Sequence, residues 1–403
     1  MTRTRRITRR VLLKGATATA YSAPLLISST AFGANDRITT GIIGLGGPAG
    51  GGAGGTEKIA VCDVREDKLR GYRENKNIAV YTDFRELLAR DDIDAVLIGT
   101  PDHWHCIPAI AAAKAGKDIY CEKPLSLTIR EARAMVTAVR RYDRVFQTGS
   151  QQRSEYGGKF RFACEMVRSG RIGQLKSINV NVGGPSRACH EPAQPTPPGV
   201  NWDLWLGPAP WRPYNERILR GWRAYRDYSG GGMTDWGHHH FDIAQWALDA
   251  DHSGPVEIIP PDGKDVDRLT YIYANGVKVY HGGGGGGGVV FFGTEGRIAV
   301  DRGHLQTEPA SVMEKPIGPN EVHLYDSTQQ GHKGNWVHCI RTREKPICDV
   351  EIGCRSVTVC HLGNIAYLLK RPLKWDPAKE EFVGDPEANR HLGRSKREPW
   401  AVL

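Results

Sequence analysis

The sequence predicts an α/β protein that begins with a doubly wound parallel sheet and continues into a second α/β domain with a mostly antiparallel sheet. Apolar runs alternate with helical patterns from Arg37 to about Thr148, which is typical of βαβ units feeding a parallel sheet. After Ser150 the strand-like segments are short and glycine-rich turns separate them, as in an antiparallel sheet. A length of 403 residues with 40% apolar composition suits about two domains.

The first part of the chain is predicted to alternate strands with helices. Short apolar runs predict strands at residues 39–44, 58–63, 79–81, 95–99, 119–121 and 145–148. Apolar residues at helical spacing predict helices at residues 83–89, 105–115 and 129–142. These elements define a predicted first domain of residues 35–150.

The second part of the chain combines a few predicted helices with several short predicted strands. Helical patterns cover residues 159–169, 336–343 and 354–370, and strand patterns cover residues 175–182, 269–273, 277–281, 289–293 and 297–301. They define a predicted second domain of residues 151–375. The polar remainder, residues 376–403, is expected to pack on the surface as a C-terminal tail.

Residues 1–34 have the features of an export signal. A basic start precedes a modestly apolar stretch at residues 15–27 and small residues near 31–34, as in a cleavable signal peptide. The segment Thr8-Arg9-Arg10-Val11-Leu12-Leu13-Lys14 resembles the twin-arginine signal, which predicts a periplasmic or other extracytoplasmic location. About 13 weakly apolar residues are too few for a bilayer span, which needs roughly 20, so no stable membrane anchor is expected.

The formal charge of +9 does not indicate a nucleic-acid partner. The signal segment contributes six of these charges, which leaves +3 for residues 35–403, and no basic stripe interleaved with aromatic residues remains. The nine cysteines are an odd number without framework spacing, which argues against a disulfide-stapled fold and favours buried free thiols. Composition therefore favours a globular protein with a small-molecule ligand.

Glycines after the first predicted strand indicate a dinucleotide site of the Rossmann type. The run Gly44-Leu45-Gly46-Gly47-Pro48-Ala49 fits the G-x-G-x-x-G/A fingerprint, in which missing side chains at Gly44, Gly46 and Gly47 let backbone amides approach a pyrophosphate. Asp63 ends the second predicted strand, 19 residues after Gly44, where its carboxylate can accept from the adenosine ribose. That carboxylate repels a 2′-phosphate, so NAD is favoured, while the nearby Arg65 leaves NADP open.

A glycine tract follows this fingerprint where a helix normally begins. The tract consists of Gly50, Gly51, Gly52, Gly54 and Gly55. At roughly 1 kcal/mol each relative to Ala, these glycines would cost a helix about 5 kcal/mol, so no regular helix is expected at residues 50–55. Either a loop of backbone amides holds the phosphates, or the tract is a flexible linker in a damaged site.

Two segments follow the fourth and fifth predicted strands, at the edge of the sheet where ligands bind in open α/β folds. In the first, Thr100-Pro101-Asp102-His103-Trp104-His105, we expect cofactor contacts from Thr100, Pro101 and His105, although Asp102 also suits a helix N-cap. In the second, Glu122 is a predicted cofactor contact. Lys123 beside it is either a candidate acid/base for the reaction or a surface charge.

A second chemical cluster lies at Asp235 and His239. They stand four residues apart on a helix predicted to run to about residue 248 with Thr234 as N-cap, so both side chains should face one side. A carboxylate beside an imidazole orients it and raises its basicity, as proton transfer requires. One alternative is a capping role; another is a metal site at residues 238–240, which is disfavoured because consecutive helical residues point about 100° apart. No metal is therefore expected.

These motifs together resemble the Gfo/Idh/MocA oxidoreductases, the glucose-fructose oxidoreductase and inositol 2-dehydrogenase type, and in particular exported members with twin-arginine signals. The resemblance is carried by the motifs Gly44-Leu45-Gly46-Gly47, Cys62-Asp63-Val64, Thr100-Pro101-Asp102-His103-Trp104-His105, Glu122-Lys123-Pro124, Gly149-Ser150-Gln151-Gln152-Arg153 and residues 235–242. It implies an N-terminal Rossmann domain, a C-terminal α/β domain with a large open sheet for substrate binding and oligomerisation, and homodimers or homotetramers.

The same resemblance implies a nicotinamide cofactor, NAD or NADP, and a sugar or polyol substrate. It implies that Lys123 and His239 exchange a proton with the substrate hydroxyl and that Asp235 supports them. This sequence departs from the family pattern at Pro48 and Ala49, where members commonly have Arg-Gly. The departure concerns how the pyrophosphate is held and leaves Lys123, Asp235 and His239 untouched.

The sequence leaves three functions open. The first is net oxidation or reduction of a sugar or polyol carbinol. The second is a redox-neutral sugar transformation, such as glycoside cleavage or epimerisation, with tightly bound NAD; export favours it because no dinucleotide pool exists outside the cytoplasm. The third is a non-catalytic sugar-binding protein with a degenerate cofactor loop, against which the retained Lys123, Asp235 and His239 argue.

Overall fold

The first sheet has six parallel strands in the order β3-β2-β1-β4-β5-β6, which is the strand order of a Rossmann fold. The structure is a computed structural model that describes residues 37–401. The strands are β1 Ile38–Ile43, β2 Thr56–Cys62, β3 Ala79–Tyr81, β4 Ala95–Ile98, β5 Asp118–Cys121 and β6 Phe146–Thr148. This confirms the predicted doubly wound parallel sheet, and every strand end lies within two residues of its predicted position.

The helices of this half are α1 Glu66–Arg73, α2 Phe84–Leu88, α3 Cys106–Lys114 and α4 Ile129–Arg141. The last three lie where the sequence predicted them. The first was missed because only Leu69 of its eight residues is buried, so the segment carries almost no apolar periodicity. Side chains cap two of these helices, since Asp83 accepts from the Arg85 amide and Thr128 from the Glu131 amide.

The second sheet has nine strands in the order β13-β12-β11-β7-β10-β9-β8-β14-β15. Its pairs are antiparallel except for β7 with β10, so the predicted mostly antiparallel sheet is confirmed. The strands are β7 Leu175–Val180, β8 Glu257–Ile259, β9 Thr270–Ile272, β10 Lys278–His281, β11 Val289–Gly293, β12 Arg297–Val300, β13 Leu305–Glu308, β14 Leu373–Asp376 and β15 Glu381–Phe382.

Helices cover one face of this sheet. The row of cross-strand neighbours on that face is buried, and it runs through Tyr271, Val279, Ile178, Phe291 and Ile298. These side chains share one core with residues of the longer helices. The helices of the second half are α5 Lys159–Arg168, α6 Trp202–Leu206, α7 Glu216–Gly221, α8 Gly232–Asp235, α9 Gly237–Ala247, α10 His332–Thr342, α11 Val350–Leu369 and α12 Pro386–Arg390.

Residues near the C-terminus pack against both halves of the molecule. Strand β15 extends the second sheet, and the ring of Trp400 packs 4.8 Å from Trp104 and 6.3 Å from Phe84, measured between centroids. The predicted signal segment lies outside the described residues. Within residues 37–401, no helix combines the length and apolar character that crossing a bilayer requires. All nine cysteines are free and buried, which confirms the expectation for their thiols.

Candidate active site

A cavity of about 1230 Å³ opens at the carboxyl ends of the parallel strands. Gly44, Gly46 and Gly47 line it after β1, Asp63 lines it after β2, and Thr100 and Pro101 line it after β4. Residues of the second half close it, among them Asp235 and His239. The cavity therefore joins the predicted cofactor residues to the predicted proton-transfer residues.

The glycine turn after β1 is built for close approach. Gly44 has φ +85°, and a Cβ there would lie 2.6 Å from the Thr100 amide nitrogen, so only glycine fits. A Cβ on Gly46 or Gly47 would meet nothing within 4 Å, because both face open space at the cavity. Only a short 3-10 turn, Pro48–Gly51, follows, which confirms that residues 50–55 form no regular helix.

Asp63 stabilises this turn by accepting hydrogen bonds from backbone amides. One carboxylate oxygen accepts from the Leu45 amide at 2.8 Å and the other accepts from the Arg65 amide at 3.0 Å. Burial raises the pKa of this carboxyl, although the two amide hydrogen bonds oppose that rise. Each oxygen keeps a second lone pair, and Asp63 lines the cavity, as the prediction of a ribose contact requires.

Lys333, which the sequence reasoning missed, reaches the same glycine loop from α10. Its ammonium donates to the carbonyls of Pro48 at 2.9 Å and Gly52 at 2.6 Å, and it lines the cavity. An ammonium has three donors, so one stays available to a ligand. Lys333 therefore brings a positive charge to the loop in which the usual first helix is missing. The only sequence signal was the run Gly331-His332-Lys333-Gly334 before a helix.

Three further predicted cofactor contacts lie at the cavity, whereas His105 does not. Thr100, Pro101 and Glu122 line the cavity, and Thr100 Oγ1 and Glu122 Oε1 are buried without a hydrogen-bond partner. Burial raises the pKa of Glu122, and the charges of Lys123 and Lys333 oppose that rise. These unpartnered atoms are available to a bound ligand.

His105 lies behind the cavity wall. Its Nδ1 is 2.7 Å from the Pro124 carbonyl and its Nε2 is 2.9 Å from the Thr100 carbonyl, so both ring nitrogens face backbone carbonyls, and the single N–H of the neutral ring donates to one of them. Burial lowers its pKa to about 4. The imidazole lies between the loop after β4 and the loop after β5. It does not line the cavity, so the predicted cofactor contact of His105 is corrected. Position at the sheet edge was predictable, but the direction of the ring was not.

Lys123 and Asp235 meet across the cavity. The ammonium donates to Asp235 Oδ1 at 2.7 Å and to the Asp235 carbonyl at 2.9 Å. Arg223 adds a second cation, with its Nε 3.2 Å from the same carboxylate oxygen. Burial works to raise the pKa of Asp235, but Lys123 and Arg223 hold it below its usual value. The carboxylate is therefore ionised and shared by two cations.

His239 lines the same cavity but does not pair with Asp235. The predicted continuous helix is broken at Trp236, where α8 ends and α9 begins, and Thr234 lies inside α8 and is not an N-cap. Asp235 points to Lys123, so the prediction that it orients the imidazole is corrected. Burial, followed by the charges of Lys123 and Arg302, lowers the pKa of His239 well below its ordinary value, and its Nδ1 has no partner among the described residues. His239 is thus a neutral imidazole at neutral pH.

A buried ionic network holds the helix that carries His239. Asp242 on α9 receives two hydrogen bonds from the Arg153 guanidinium, both 2.8 Å, and a third from the Ser356 hydroxyl at 2.8 Å. Arg153 also binds Asp251 at 2.7 Å. Arg153 and Asp242 are 1% and 0% exposed, so losing one partner would leave an uncompensated buried charge, which costs about 3–5 kcal/mol.

Asp102 is a further cavity residue whose role the sequence left open. It is 2% exposed, lines the cavity, and leaves Oδ2 without a hydrogen bond. Burial raises its pKa to about 7, Asp235 adds to the rise, and Ser229, Lys123 and Arg223 oppose it. This carboxyl can exchange a proton near neutral pH, which a simple helix cap would not do.

The neighbouring histidines do not assemble a metal site. His238 accepts from the Leu125 amide at 3.4 Å, and a Cβ on Gly288 would lie 1.9 Å from His240 Cε1, so both rings are packed into different surroundings. Within residues 37–401, no group of His, Cys, Asp or Glu side chains is arranged to hold a metal ion.

Two family models match the chain. "Oxidoreductase family, NAD-binding Rossmann fold" matches residues 38–150, and "Oxidoreductase family, C-terminal alpha/beta domain" matches residues 186–402. The chain belongs to the Gfo/Idh/MocA oxidoreductase family. The residues found here fit the nicotinamide dinucleotide that this family's first domain binds, because the open cradle at Gly46 and Gly47 and the unpartnered Thr100 and Glu122 atoms face one cavity.

The chain is similar to several proteins whose names refer to sugars or polyols. Myo-inositol 2-dehydrogenase of Thermotoga maritima is 29% identical over 348 residues, which are 81% of this chain and 92% of that protein. Glycosyl hydrolase family 109 protein 1 of a Shewanella species is 36% identical, but over 30% of this chain and 28% of that protein. The structure of aldose-aldose oxidoreductase from Caulobacter crescentus with glycerol matches with a TM-score of 0.59 and 19% identity, covering 84% of this chain and 99% of that one, and shares the fold.

We expect Lys333→Met to weaken NAD binding by about 10-fold to 100-fold, since one hydrogen bond between charged groups is worth roughly 1.5–3 kcal/mol. Fluorescence titration of the purified protein with NAD measures the dissociation constant without requiring turnover. Arg341→Met is the matched control, because it removes the same charge from the same helix at an exposed side chain 3.5 Å from the Gly55 carbonyl. Equal affinities in Lys333→Met and wild type would remove Lys333 from the cofactor site.

Proposed function

We propose that this protein is an NAD(P)-dependent oxidoreductase that oxidises or reduces the carbinol of a sugar or polyol. One observation carries the proposal: the Lys123–Asp235 ion pair and the neutral His239 line the same cavity as the glycine turn. When bound, the nicotinamide supplies the hydride acceptor or donor. The relationship to myo-inositol 2-dehydrogenase supports the substrate class.

The protein residues divide the proton chemistry between them. In the oxidation direction, the neutral imidazole of His239 accepts the hydroxyl proton of the substrate, since burial and two nearby cations keep it unprotonated beforehand. The Lys123 ammonium, held at 2.7 Å from Asp235, donates a hydrogen bond to the reacting oxygen and stabilises its developing negative charge. Asp235 positions Lys123. Reduction follows the same path in reverse.

We expect Lys123→Ala and His239→Ala each to lower turnover by about 100-fold to 10,000-fold, the usual contribution of a general acid or base. The double variant should lose far less than the product of the two single losses, because groups that act as a unit are non-additive. Turnover is followed through nicotinamide absorbance with a panel that includes myo-inositol and aldohexoses.

The exposed residues Lys345 and His338 provide control substitutions to Ala, which should leave turnover unchanged. Cofactor affinity, measured by titration, should change little in all four single variants. Near-normal turnover in either Lys123→Ala or His239→Ala would contradict the assignment. A chain that binds NAD but turns over no carbinol in the panel would favour the non-catalytic sugar-binding alternative.

We infer that the cofactor is NAD, with NADP as the weaker ligand. The half-buried carboxylate of Asp63 supports this inference, because a 2′-phosphate would meet its negative charge. Asp63→Ala should weaken NAD binding by about 10-fold and NADP binding less, since a charged hydrogen bond to the ribose is lost only with NAD. Asp67→Ala is the control, an exposed carboxylate that pairs with Arg65. Equal losses for NAD and NADP would exclude Asp63 from the ribose site.

We propose that the protein is exported by the twin-arginine route with its dinucleotide already bound, which suits a redox-neutral sugar transformation as the second candidate function. The Asp102 carboxyl supports this candidate, because its pKa of about 7 provides another proton donor in the cavity. The partial similarity to glycosyl hydrolase family 109 points the same way.

Native mass spectrometry of protein from the periplasmic fraction should show one dinucleotide per chain. Substituting Arg9 and Arg10 by Lys should retain the protein in the cytoplasm, and the same substitution at Arg3 and Arg5 should not. Periplasmic protein that is free of dinucleotide, and that loads and releases NAD rapidly, would argue against the redox-neutral cycle. Export that survives loss of both Arg9 and Arg10 would refute the twin-arginine route.

We also propose a homodimer or homotetramer formed through the second sheet. The face opposite the helices exposes part of Ile272, Tyr280 and Phe292, which the register places on one side. Light scattering of the purified chain tests this, and a monomer at every concentration would refute it.

A further inference from the structure

Arg302 presents a guanidinium to the cavity without an anionic partner. It follows β12 and lines the cavity, and its Nε is buried with no hydrogen bond. No ion pair of Arg302 forms within residues 37–401; its backbone amide, not its side chain, binds Asp301 at 2.6 Å. Two other cations of the cavity, Lys123 and Arg223, are already paired, since they share Asp235. Arg302 therefore keeps unused donors and unused charge.

Two aromatic rings hold this guanidinium in place. Its Cζ lies 4.6 Å from the centroid of Trp236 and 4.8 Å from that of Tyr156. Tyr156 has φ +60°, an unfavourable conformation for a bulky residue, and the Lys159 ammonium binds its carbonyl at 3.1 Å. The Arg302 side chain makes no hydrogen bond within residues 37–401, so the N–H donors along the edge of its guanidinium have no protein partner.

Arg302 lies close to His239, the proposed proton acceptor, with Trp236 in contact with both residues. Trp236 contacts Arg302, and its ring lies 5.9 Å from that of His239. A ligand on the Arg302 edge would thus extend toward the proton acceptor. At this end of the cavity, Asp235 pairs with Lys123 and Arg223. Asp102, Glu122 and Glu155 also line the cavity, but no carboxylate pairs with the Arg302 side chain within the described residues. A neutral sugar would therefore leave the Arg302 guanidinium without an anionic partner.

We propose that Arg302 binds a carboxylate on the substrate, so that the substrate class is a sugar acid, such as a uronate, whose reacting hydroxyl lies at Lys123 and His239. The proposal rests on the proposed oxidoreductase function. A carboxylate matches the planar fork of the guanidinium with two parallel hydrogen bonds. A sugar phosphate offers the same charge with a tetrahedral geometry, and the experiment separates the two.

Isothermal titration of the NAD-loaded protein gives the dissociation constants for D-glucuronate, D-galacturonate, their parent hexoses and glucose 6-phosphate. Wild type should bind at least one uronate about 10-fold or more tightly than its parent hexose, as a bidentate charged pair requires. Arg302→Gln should reduce this preference to about twofold. Arg302→Lys should restore only part of it, because an ammonium keeps the charge but lacks the fork.

Arg220→Gln is the matched control. It removes a charge from the same cavity wall, but Arg220 is paired with Glu216 at 2.8 Å, so the preference for the acid should persist. Circular dichroism and a thermal melt establish that each variant is folded. Neither uronate binding more tightly than its hexose, or an unchanged preference in Arg302→Gln, would overturn the proposal. Glucose 6-phosphate binding more tightly than both uronates would overturn the carboxylate assignment.

Turnover separates this inference from the function on which it rests. Efficient oxidation of neutral hexoses or polyols, with acids no better, would leave the oxidoreductase standing and overturn the role of Arg302. Tight uronate binding without turnover of any carbinol would do the opposite, since the Arg302 site would stand and the oxidoreductase function would fail.

Discussion

The Lys123–Asp235 ion pair is the interaction on which the active site depends. Lys123 follows β5 of the parallel sheet, Asp235 ends α8, and 112 residues separate them in the chain. Their side chains are 18% and 22% exposed, so removing one partner leaves a poorly solvated charge beside the site. The ammonium also binds the Asp235 carbonyl, which couples the loop to the backbone as well as to the carboxylate. The pair thereby fixes the distance between the two walls of the cavity.

A second ionic network fixes the position of helix α9, which carries His239. Arg153 binds Asp242 and Asp251, and the Ser356 hydroxyl on α11 donates a further hydrogen bond to the Asp242 carboxylate. Helix α9 therefore has its position fixed through Asp242, while Nδ1 of His239, three residues earlier, has no hydrogen-bond partner among the described residues. A buried ion pair is a weak source of net stability, but it strongly penalises any arrangement that separates its charges. A fixed helix position is what the proposed role of His239 as proton acceptor requires.

The sequence predicted what depends on local pattern and on topology. Alternating apolar runs located the strands of the parallel sheet, and the rule that ligands bind at the carboxyl ends of such strands placed Gly44, Thr100, Glu122 and Lys123 at one edge. Propensity alone predicted that the glycine tract forms no helix. The direction of side chains was harder to predict, because nothing in the sequence shows that both His105 nitrogens face backbone carbonyls.

Residues supplied by distant segments could not be predicted at all. Lys333 reaches the Pro48 carbonyl over 285 positions of sequence, and Arg302 meets Tyr156 only because β12 and the segment before α5 pack together. No spacing rule links such residues, since their contact is a product of tertiary packing. The same limit explains the error at Asp235, where helical spacing suggested His239 as partner while the stronger charge of Lys123 arrived from another element.

Unpaired polar atoms mark the place where this fold keeps hydrogen-bonding capacity for a ligand. Thr100 Oγ1, Asp102 Oδ2, Glu122 Oε1, His239 Nδ1 and Arg302 Nε are all buried and all belong to residues that line the cavity. A buried donor or acceptor without a partner costs roughly 1–3 kcal/mol, so a cluster of them lowers stability unless a bound molecule completes it. Water can do so in part, but the rigid ionic framework around them holds the groups in fixed positions. A ligand that binds these groups requires little reorganisation of the site, and the proposed catalysis depends on this preorganisation.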